Sequence, residues 1–234
     1  MQPQVIAIDG PAASGKDTVG RILADQIGYT FFDTGVMYRA VAWLAIEKGI
    51  DPGDANAVAK LARESDIKLG QGQQQNGHNE IILNGADVSR FLRAPEVDSV
   101  VSLVAQVREV RDALAPKQRS LAERGRIVMA GRDIGTKILP DAPIKIYLEA
   151  SLEERAKRRF AQSKKRGQGQ TLPQVLAMIR ERDRIDTERS ESPLRPADDA
   201  VIINTDKMDP KAVVNAILER IRDRCHSAIT PQQS

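Results

Sequence analysis

The chain has 234 residues and one cysteine, Cys225, which excludes a disulfide framework and most cysteine-based metal sites. Its formal charge is +3, with acids and bases interleaved and aromatics at 3%, so an extended nucleic-acid surface is not expected; arginines gathered around small phosphorylated ligands fit the same balance. No apolar run approaches the roughly 20 residues of a membrane span, and MQPQVIAID lacks the basic start and apolar region of a secretory leader, so a reducing, cytoplasmic setting is expected.

The apolar run Val5-Ile6-Ala7-Ile8 reads as a buried parallel strand. It leads into Gly10, four further residues and Gly15-Lys16, after which a helix from about Lys16 to Gln26 turns Val19, Ile22, Leu23 and Ile27 to one face. Strand, G-x-x-x-x-G-K, helix is the context a phosphate-binding loop requires. The glycines let successive backbone N–H groups face a phosphate, the helix adds its positive N-terminal end, and Lys16 adds a full charge. The usual pattern has Ser or Thr directly after the lysine; here that position is Asp17, with Thr18 one later.

A short strand is expected at 29–32, ending in Asp33-Thr34-Gly35, then helices over about 36–48 and 56–64 separated by the turn Asp51-Pro52-Gly53. Two strand-like runs, 66–69 and 80–83, flank the polar, Gly-rich Gly70–Gly77 and predict a hairpin, with Asn84-Gly85 as a further turn. Residues 66–95 thus read as a small β-rich insertion. Helix resumes at Pro95, with Val97, Val100, Val101, Val104, Val107 and Leu114 at helical spacing, and a separate polar helix follows around 116–123. The strand Ile127-Val128-Met129 leads into Gly131-Arg132-Asp133, and Ile144–Leu148 is the next strand. Ser151 with Glu154 signals a helix carrying Arg155, Lys157, Arg158 and Arg159, followed by a basic loop over 163–170 and a helix over 172–188. After an extended turn over 192–199, the strand 200–204 and a helix capped by Asp209-Pro210 close the fold, leaving 226–234 as a flexible tail. Strands separated by helices predict an α/β fold of three layers around a central parallel sheet. Its ligands bind outside the carboxyl ends of the strands, which gathers the loops after Ile8, Phe32 and Met129 at one crevice.

Three groups join the phosphate loop there. Thr34, Tyr38 and Arg39 offer a hydroxyl, a phenol and a guanidinium to a second phosphate and the group attached to it. Arg132 and Asp133 offer donors and acceptors after a glycine, although an Arg-Asp neighbour pair is often a plain ion pair. Arg182, Asp186 and Arg189 recur at i, i+4 and i+7 on one helix face, which also suits an ordinary solvated face. With Arg155, Arg158 and Arg159 and the basic loop, they suggest a helical lid that closes arginines over polyphosphate and excludes water. His78 and His226 are assigned no function. A phosphate acceptor is largely dianionic at neutral pH, its second pKa being about 6, and needs no general base.

The segments GPAASGKDT, DTGVMYRAVA, GRDIGT, PDAPIKIYLEASLEERAKRR and RDRIDTER, in this order and spacing, resemble the bacterial cytidylate kinase family from about Val5 to Leu218. The resemblance implies one P-loop kinase domain over the whole chain, with residues 66–95 as a nucleoside monophosphate-binding insertion and 155–190 as the lid. It implies a monomer that transfers a phosphoryl group from ATP to CMP or dCMP with Mg²⁺. By position, Gly10, Pro11, Ala12, Ala13, Ser14, Gly15, Lys16, Asp17 and Thr18 would hold ATP. Arg155 and Arg159 resemble lid arginines, either of which could reach it. Thr34, Tyr38 and Arg39 would surround the acceptor nucleotide, and Ser102, Arg111 and Asp133 would read cytosine. Arg132 would contact the acceptor phosphate, Arg182 and Asp186 the sugar, and Arg189 the phosphates; Lys16, Arg132, Arg182 and Arg189 form the implied catalytic set.

Two departures bear on the metal. The family usually has Gly or Ser where this chain has Asp17, and an acid where it has Ala130. Asp17, with Thr18, is the expected metal site, its carboxylate compensating for the one missing at Ala130. Other small-acceptor P-loop kinases, with AMP, UMP, shikimate or dephospho-coenzyme A as acceptor, and a nucleotide-controlled switch remain the alternative readings.

Overall fold

Strand β1 (Val5–Asp9) is the middle of a five-stranded sheet in which every neighbouring pair runs parallel. The order is β2 (Thr30–Asp33), β6 (Ile127–Gly131), β1, β7 (Ile144–Glu149) and β8 (Val201–Asn204). The computed structural model describes residues 4–70, 80–167 and 169–227, the side chains of 224–227 excepted. Most of the Gly-rich loop expected at 70–77, the side chains of His78 and His226, and most of the tail expected at 226–234 lie outside the described residues.

Strand alternation assigns β1 to two cores. Ile6 and Ile8 face one side with Val128, Ala130 and Ile146; helices α1 (Lys16–Ile27) and α8 (Pro210–Ser227) cover them through Val19, Leu23, Val213 and Ile217. Ala7 faces the other side with Phe32 and Met129. Helices α2 (Gly35–Glu47), α3 (Ala55–Glu64), α4 (Pro95–Gln106) and α5 (Arg108–Glu123) supply that second layer. Helices α6 (Leu152–Lys165) and α7 (Leu172–Glu188) pack on each other around a small cluster of their own, Ala156, Val175 and Ile179. With β2, β6 and β1 adjacent, the loops leaving their carboxyl ends emerge side by side.

A second sheet is antiparallel, with β3 (Ile67–Leu69) paired to β4 (Ile81–Leu83) and β4 to β5 (Ala86–Asp87). The turn at Asn84-Gly85 makes the third strand possible: both residues have positive φ, 51° and 85°, the geometry of a two-residue hairpin. Ile67, Ile81 and Leu83 face inward and join the second core.

The region after Pro95 divides differently from expectation. The helix does not run through Leu114 with a break before Pro116; it breaks at Val107, whose ψ of 119° is extended, and Pro116 lies inside α5. The buried valines mark the core face of both helices, so their periodicity runs across the break without a signal. The break frees the carbonyl of Ala105, which accepts from Nη1 of Arg111 at 3.1 Å. Pro116 removes the donor to the carbonyl of Asp112, a residue on the exposed side of α5 where water can take its place. A wide helical turn over Ile134–Ile138 also replaces simple loop after Asp133, closed by the 2.7 Å bond from Leu139 N–H to the Ile134 carbonyl.

Gly20, in the middle of α1, sets how closely that helix lies on β2. A Cβ there would stand 2.4 Å from the ring of buried Phe31. Gly20→Ala is therefore expected to destabilise the chain by about 1–3 kcal/mol, against the gain of about 1 kcal/mol that the same change brings to an unhindered helix. Urea midpoints at constant m-value read the sign, and a stabilised variant would refute this account of the packing.

Candidate active site

The loop between β1 and α1 is held by contacts only glycine permits. Gly10 has φ 148°, and a Cβ there would lie 2.1 Å from the backbone oxygen of Leu148 on β7; Gly15 has φ 100° at the helix start. Lys16 is buried and folds back, its Nζ donating to the Pro11 carbonyl at 2.7 Å with Ser14 Oγ at 3.5 Å. Burial, and then the Arg132 charge, pull its pKa down to about 7. From α6, Arg155 donates to the Ala12 carbonyl at 3.2 Å and pairs with Asp183 at 2.6 Å. Arg158 lies beside it, bonding both oxygens of Thr205 and reaching the Ser14 carbonyl at 3.5 Å, so two α6 cations brace the carbonyl side of the loop.

Asp9, which sequence reasoning did not single out, closes β1 just before Gly10. Its buried carboxylate accepts from the N–H groups of Ile134 and Gly135 at 2.8 and 2.7 Å, fixing the segment after Asp133 beside the phosphate loop. Burial outweighs those bonds and raises its pKa to about 6. An acid closing an apolar strand at the loop's first glycine was the available signal.

Beside that segment lies a buried polar wall. Arg111 Nη2 pairs with Asp133 Oδ2 while the guanidinium stacks 5.4 Å from the Tyr38 ring centre. Burial raises the Tyr38 phenol pKa, and Gln118, also buried and also unforeseen, flanks the hydroxyl. Ser102 is buried on α4, and Thr34 donates to the Ala130 carbonyl at 3.1 Å.

The α7 residues converge next to this wall. Arg132 donates from Nε to Asp186 Oδ2 at 2.8 Å, and Arg189 Nη1 stands 3.8 Å from the other Asp186 oxygen. Burial pushes the Asp186 carboxyl up, but Arg132 and Arg182 outweigh it and hold it below the usual range. Arg182 is only partly compensated by Asp186 and Asp98: its buried Nε has no hydrogen-bond partner among the described residues, and burial followed by Arg132 lowers its pKa to about 10. One Arg189 nitrogen is likewise orphaned.

Two expected residues stand outside this buried cluster. Arg159 reaches Asp98 on α4, which also pairs with Arg39, so it stands over the Arg39 side of the site. Thr18 is exposed on α1. Asp17 instead shares Arg93 with Asp33, at 3.9 and 3.8 Å, and Asp33 is the register partner of Ala130. Lys16, Arg132, Arg182, Arg111, Asp133, Tyr38, Asp186 and Arg189 are thus brought together at the carboxyl edge of β1 and β6.

The depressed Lys16 pKa sets a sign for stability. Between pH 7 and 10.5 the unfolded chain binds more protons at this lysine than the folded chain, so its contribution rises with pH, by at most about 1.4 kcal/mol per pH unit. Lys16→Met is expected to stabilise the ligand-free protein at pH 7 by about 1–3 kcal/mol and to remove that pH-dependent gain. Chemical denaturation of both proteins from pH 7 to 9.5 checks this, and parallel stability profiles would refute it.

A sequence model of the family described as cytidylate kinase matches residues 6–223. Cytidylate kinase from Roseiflexus castenholzii is 46% identical over 225 residues, covering 95% of each chain. The cytidylate kinase of Bacillus licheniformis is 45% identical over 214 residues, 92% of this chain and 94% of that one. Among solved structures, shikimate kinase from Acinetobacter baumannii superposes with a TM-score of 0.50 at 18% identity, over 95% of this chain and 94% of that chain, a likeness of fold alone. On the family match and the identity to these relatives, the chain belongs to the cytidylate kinase family.

Proposed function

We propose that the chain transfers the γ-phosphoryl group of ATP to CMP or dCMP, releasing ADP and the nucleoside diphosphate. The observation that carries this reading is the buried Arg111–Asp133 pair beside Tyr38, on the same sheet edge as the phosphate loop. Arg111 engages Oδ2 of Asp133, so Oδ1 is available to the exocyclic amine of cytosine while the guanidinium edge donates to ring acceptors. Uracil carries a carbonyl at the amine position and would set it against the carboxylate.

The rest of the site divides by charge. The phosphate loop from Gly10 to Thr18 holds the donor polyphosphate, and Lys16 leaves the Pro11 carbonyl for it. Thr34, Tyr38, Arg39 and Ser102 line the acceptor side with Arg132, while Arg182 and Asp186 hold the sugar and Arg189 reaches the phosphates. An oxygen of the acceptor phosphate attacks the γ-phosphorus, the bond to the β-γ bridging oxygen breaks, and the electron pair leaves with ADP. The acceptor is already ionised, so the chain's task is alignment and neutralisation of spreading charge by Lys16, Arg132, Arg182 and Arg189. The small antiparallel sheet within 66–95 serves as the monophosphate-binding insertion, and 155–190 as the lid that carries Arg155 and Arg159.

The donor set fits a Mg²⁺ carried on the nucleotide. Among the described residues no group of three or more histidine, cysteine or acidic side chains is arranged to cage a metal. A Mg²⁺ that keeps waters and phosphate oxygens needs only one or two carboxylates. Asp17 and Asp33, sharing Arg93 beside Ala130, are the candidates, and the ion would supply charge neutralisation at the transferring phosphoryl group. Among the described residues no helix is long and apolar enough to cross a membrane. Membership of the family supports reading the chain as a cytoplasmic monomer, and its interleaved charges and sparse aromatics support reading it as one that does not engage nucleic acid.

ADP release over an acceptor panel tests the function. CMP and dCMP are expected to exceed UMP and AMP in kcat/KM by at least about 10-fold, the low end of what leaving a buried polar group unpaired costs; equal or inverted ranking would overturn the assignment. For the metal, Asp17→Gly is expected to weaken Mn²⁺ binding to the ATP-loaded protein, read by electron paramagnetic resonance, and to move Mg²⁺ dependence to higher concentration. Unchanged metal binding and turnover would show that Asp17 does not compensate for Ala130.

A further inference from the structure

Asp98 has no part in the chemistry above, yet it stands among the cations of the acceptor side. It lies in the first turn of α4 with its side chain 6% exposed. One carboxylate oxygen is 2.5 Å from Nη1 of Arg39 on α2, and the other accepts from Nη2 of Arg159 on α6. Arg182 on α7 adds a third positive charge; burial pushes the Asp98 carboxyl up, but these arginines hold it below its ordinary range. Arg39 has a second anchor, the Leu92 carbonyl at 3.0 Å. Among the described residues, Asp98 is the hydrogen-bond and ion-pair partner of Arg159. An anion shared by arginines from three helices is the arrangement that the oxygens of a bound phosphate would create.

We propose that Asp98 is a placeholder for the acceptor phosphate, a latch that ties Arg159 to the acceptor side until a nucleoside monophosphate displaces it. The inference rests on the reading of the chain as a CMP kinase. Arg159 is one helical turn beyond Arg155, whose guanidinium already sits on the Ala12 carbonyl, so the two share the α6 face that borders the phosphate loop. A dianionic phosphate entering between Arg39 and Arg182 outcompetes the single charge of Asp98 and repels it. Arg159 is then free to turn toward the donor polyphosphate. Acceptor binding thereby strengthens donor binding, and ATP held without an acceptor lacks one of its cations, which restrains transfer to water. A surface ion pair that merely steadies the fold would carry no such coupling.

Asp98→Asn keeps the shape and removes the charge, and Asp98→Glu keeps the charge. Affinity for a non-hydrolysable ATP analogue is measured by calorimetry with and without saturating CMP. In the unmodified chain, CMP is expected to tighten analogue binding by about 5-fold or more, within the usual range of coupling between sites. Asp98→Asn is expected to bind the analogue without CMP as tightly as the unmodified chain binds it with CMP, to lose the coupling, and to hydrolyse ATP faster in the absence of acceptor. Asp98→Glu should restore coupling, and adding Arg159→Ala to Asp98→Asn should abolish the gain. Damage to the fold would weaken analogue binding, the opposite sign. Absence of coupling in the unmodified chain, or Asp98→Asn with unchanged or weakened analogue binding and coupling retained, overturns the latch. A chain that phosphorylates CMP but shows no coupling refutes the latch alone, whereas failure on the acceptor panel refutes the functional reading and the latch with it.

Discussion

Two hydrogen bonds on Asp9 tie the whole site together. The sheet brings β1 and β6 into register, but register alone does not fix the loops that leave their ends. The Asp9 carboxylate does so by accepting from consecutive N–H groups after Asp133, so the phosphate loop and the Arg132-Asp133 segment keep one separation. A donor site and an acceptor site are useful only at the distance of one in-line displacement, and a flexible joint between them would forfeit the gain from orientation. Burial makes the bonds stiff and also costly, as the Asp9 pKa of about 6 records.

The same exchange of stability for readiness recurs across the cleft. Lys16 is buried with a carbonyl as its partner, and Arg182 carries an orphaned Nε among the described residues. Both are pushed toward their neutral forms by burial and by Arg132. A fold selected for stability alone would pair these cations or expose them. Held close together, they raise the energy of the empty site, and in the proposed reaction arriving phosphates would lower it again, directing binding energy to the reacting groups. Asp98 and Asp186 are placed where they moderate this repulsion, each near arginines that serve ligands in the proposed reaction.

Much of this was legible in the sequence, for identifiable reasons. The phosphate loop, the parallel sheet and the convergence of the loops after Ile8, Phe32 and Met129 follow from apolar runs and glycine spacing, which act locally. The i, i+4, i+7 pattern placed Arg182, Asp186 and Arg189 on one face because helix geometry is fixed. What escaped depends on contacts between distant segments. The break at Val107 leaves no mark, since its valines face the core on both sides and the freed carbonyl is taken by Arg111. Asp9 reads as the end of a strand until its partners 125 and 126 residues away are in place. Asp98 reads as an ordinary first-turn acid, and its meaning comes from α2 and α6.

Asp17 gathers these threads. In sequence it is an acid where a hydroxyl or glycine is usual, next to Lys16. In the fold it stands with Asp33, whose register partner is Ala130, and Arg93 spans both carboxylates. The two carboxylates repel each other: burial and then Asp17 raise the Asp33 pKa. A cation between them is therefore favourable whatever its identity, and Arg93 meets that need from the segment before α4. A divalent ion arriving on the nucleotide would compete with Arg93 for the same oxygens. Because Arg93 belongs to the segment joining the small sheet to α4, that competition would be felt on the acceptor side, just as acceptor binding at Asp98 would be felt on the donor side. The cleft is thus crossed by two ion pairs in opposite directions, Arg93 to the phosphate-loop helix and Arg159 to α4, each made of a charge that a ligand also carries.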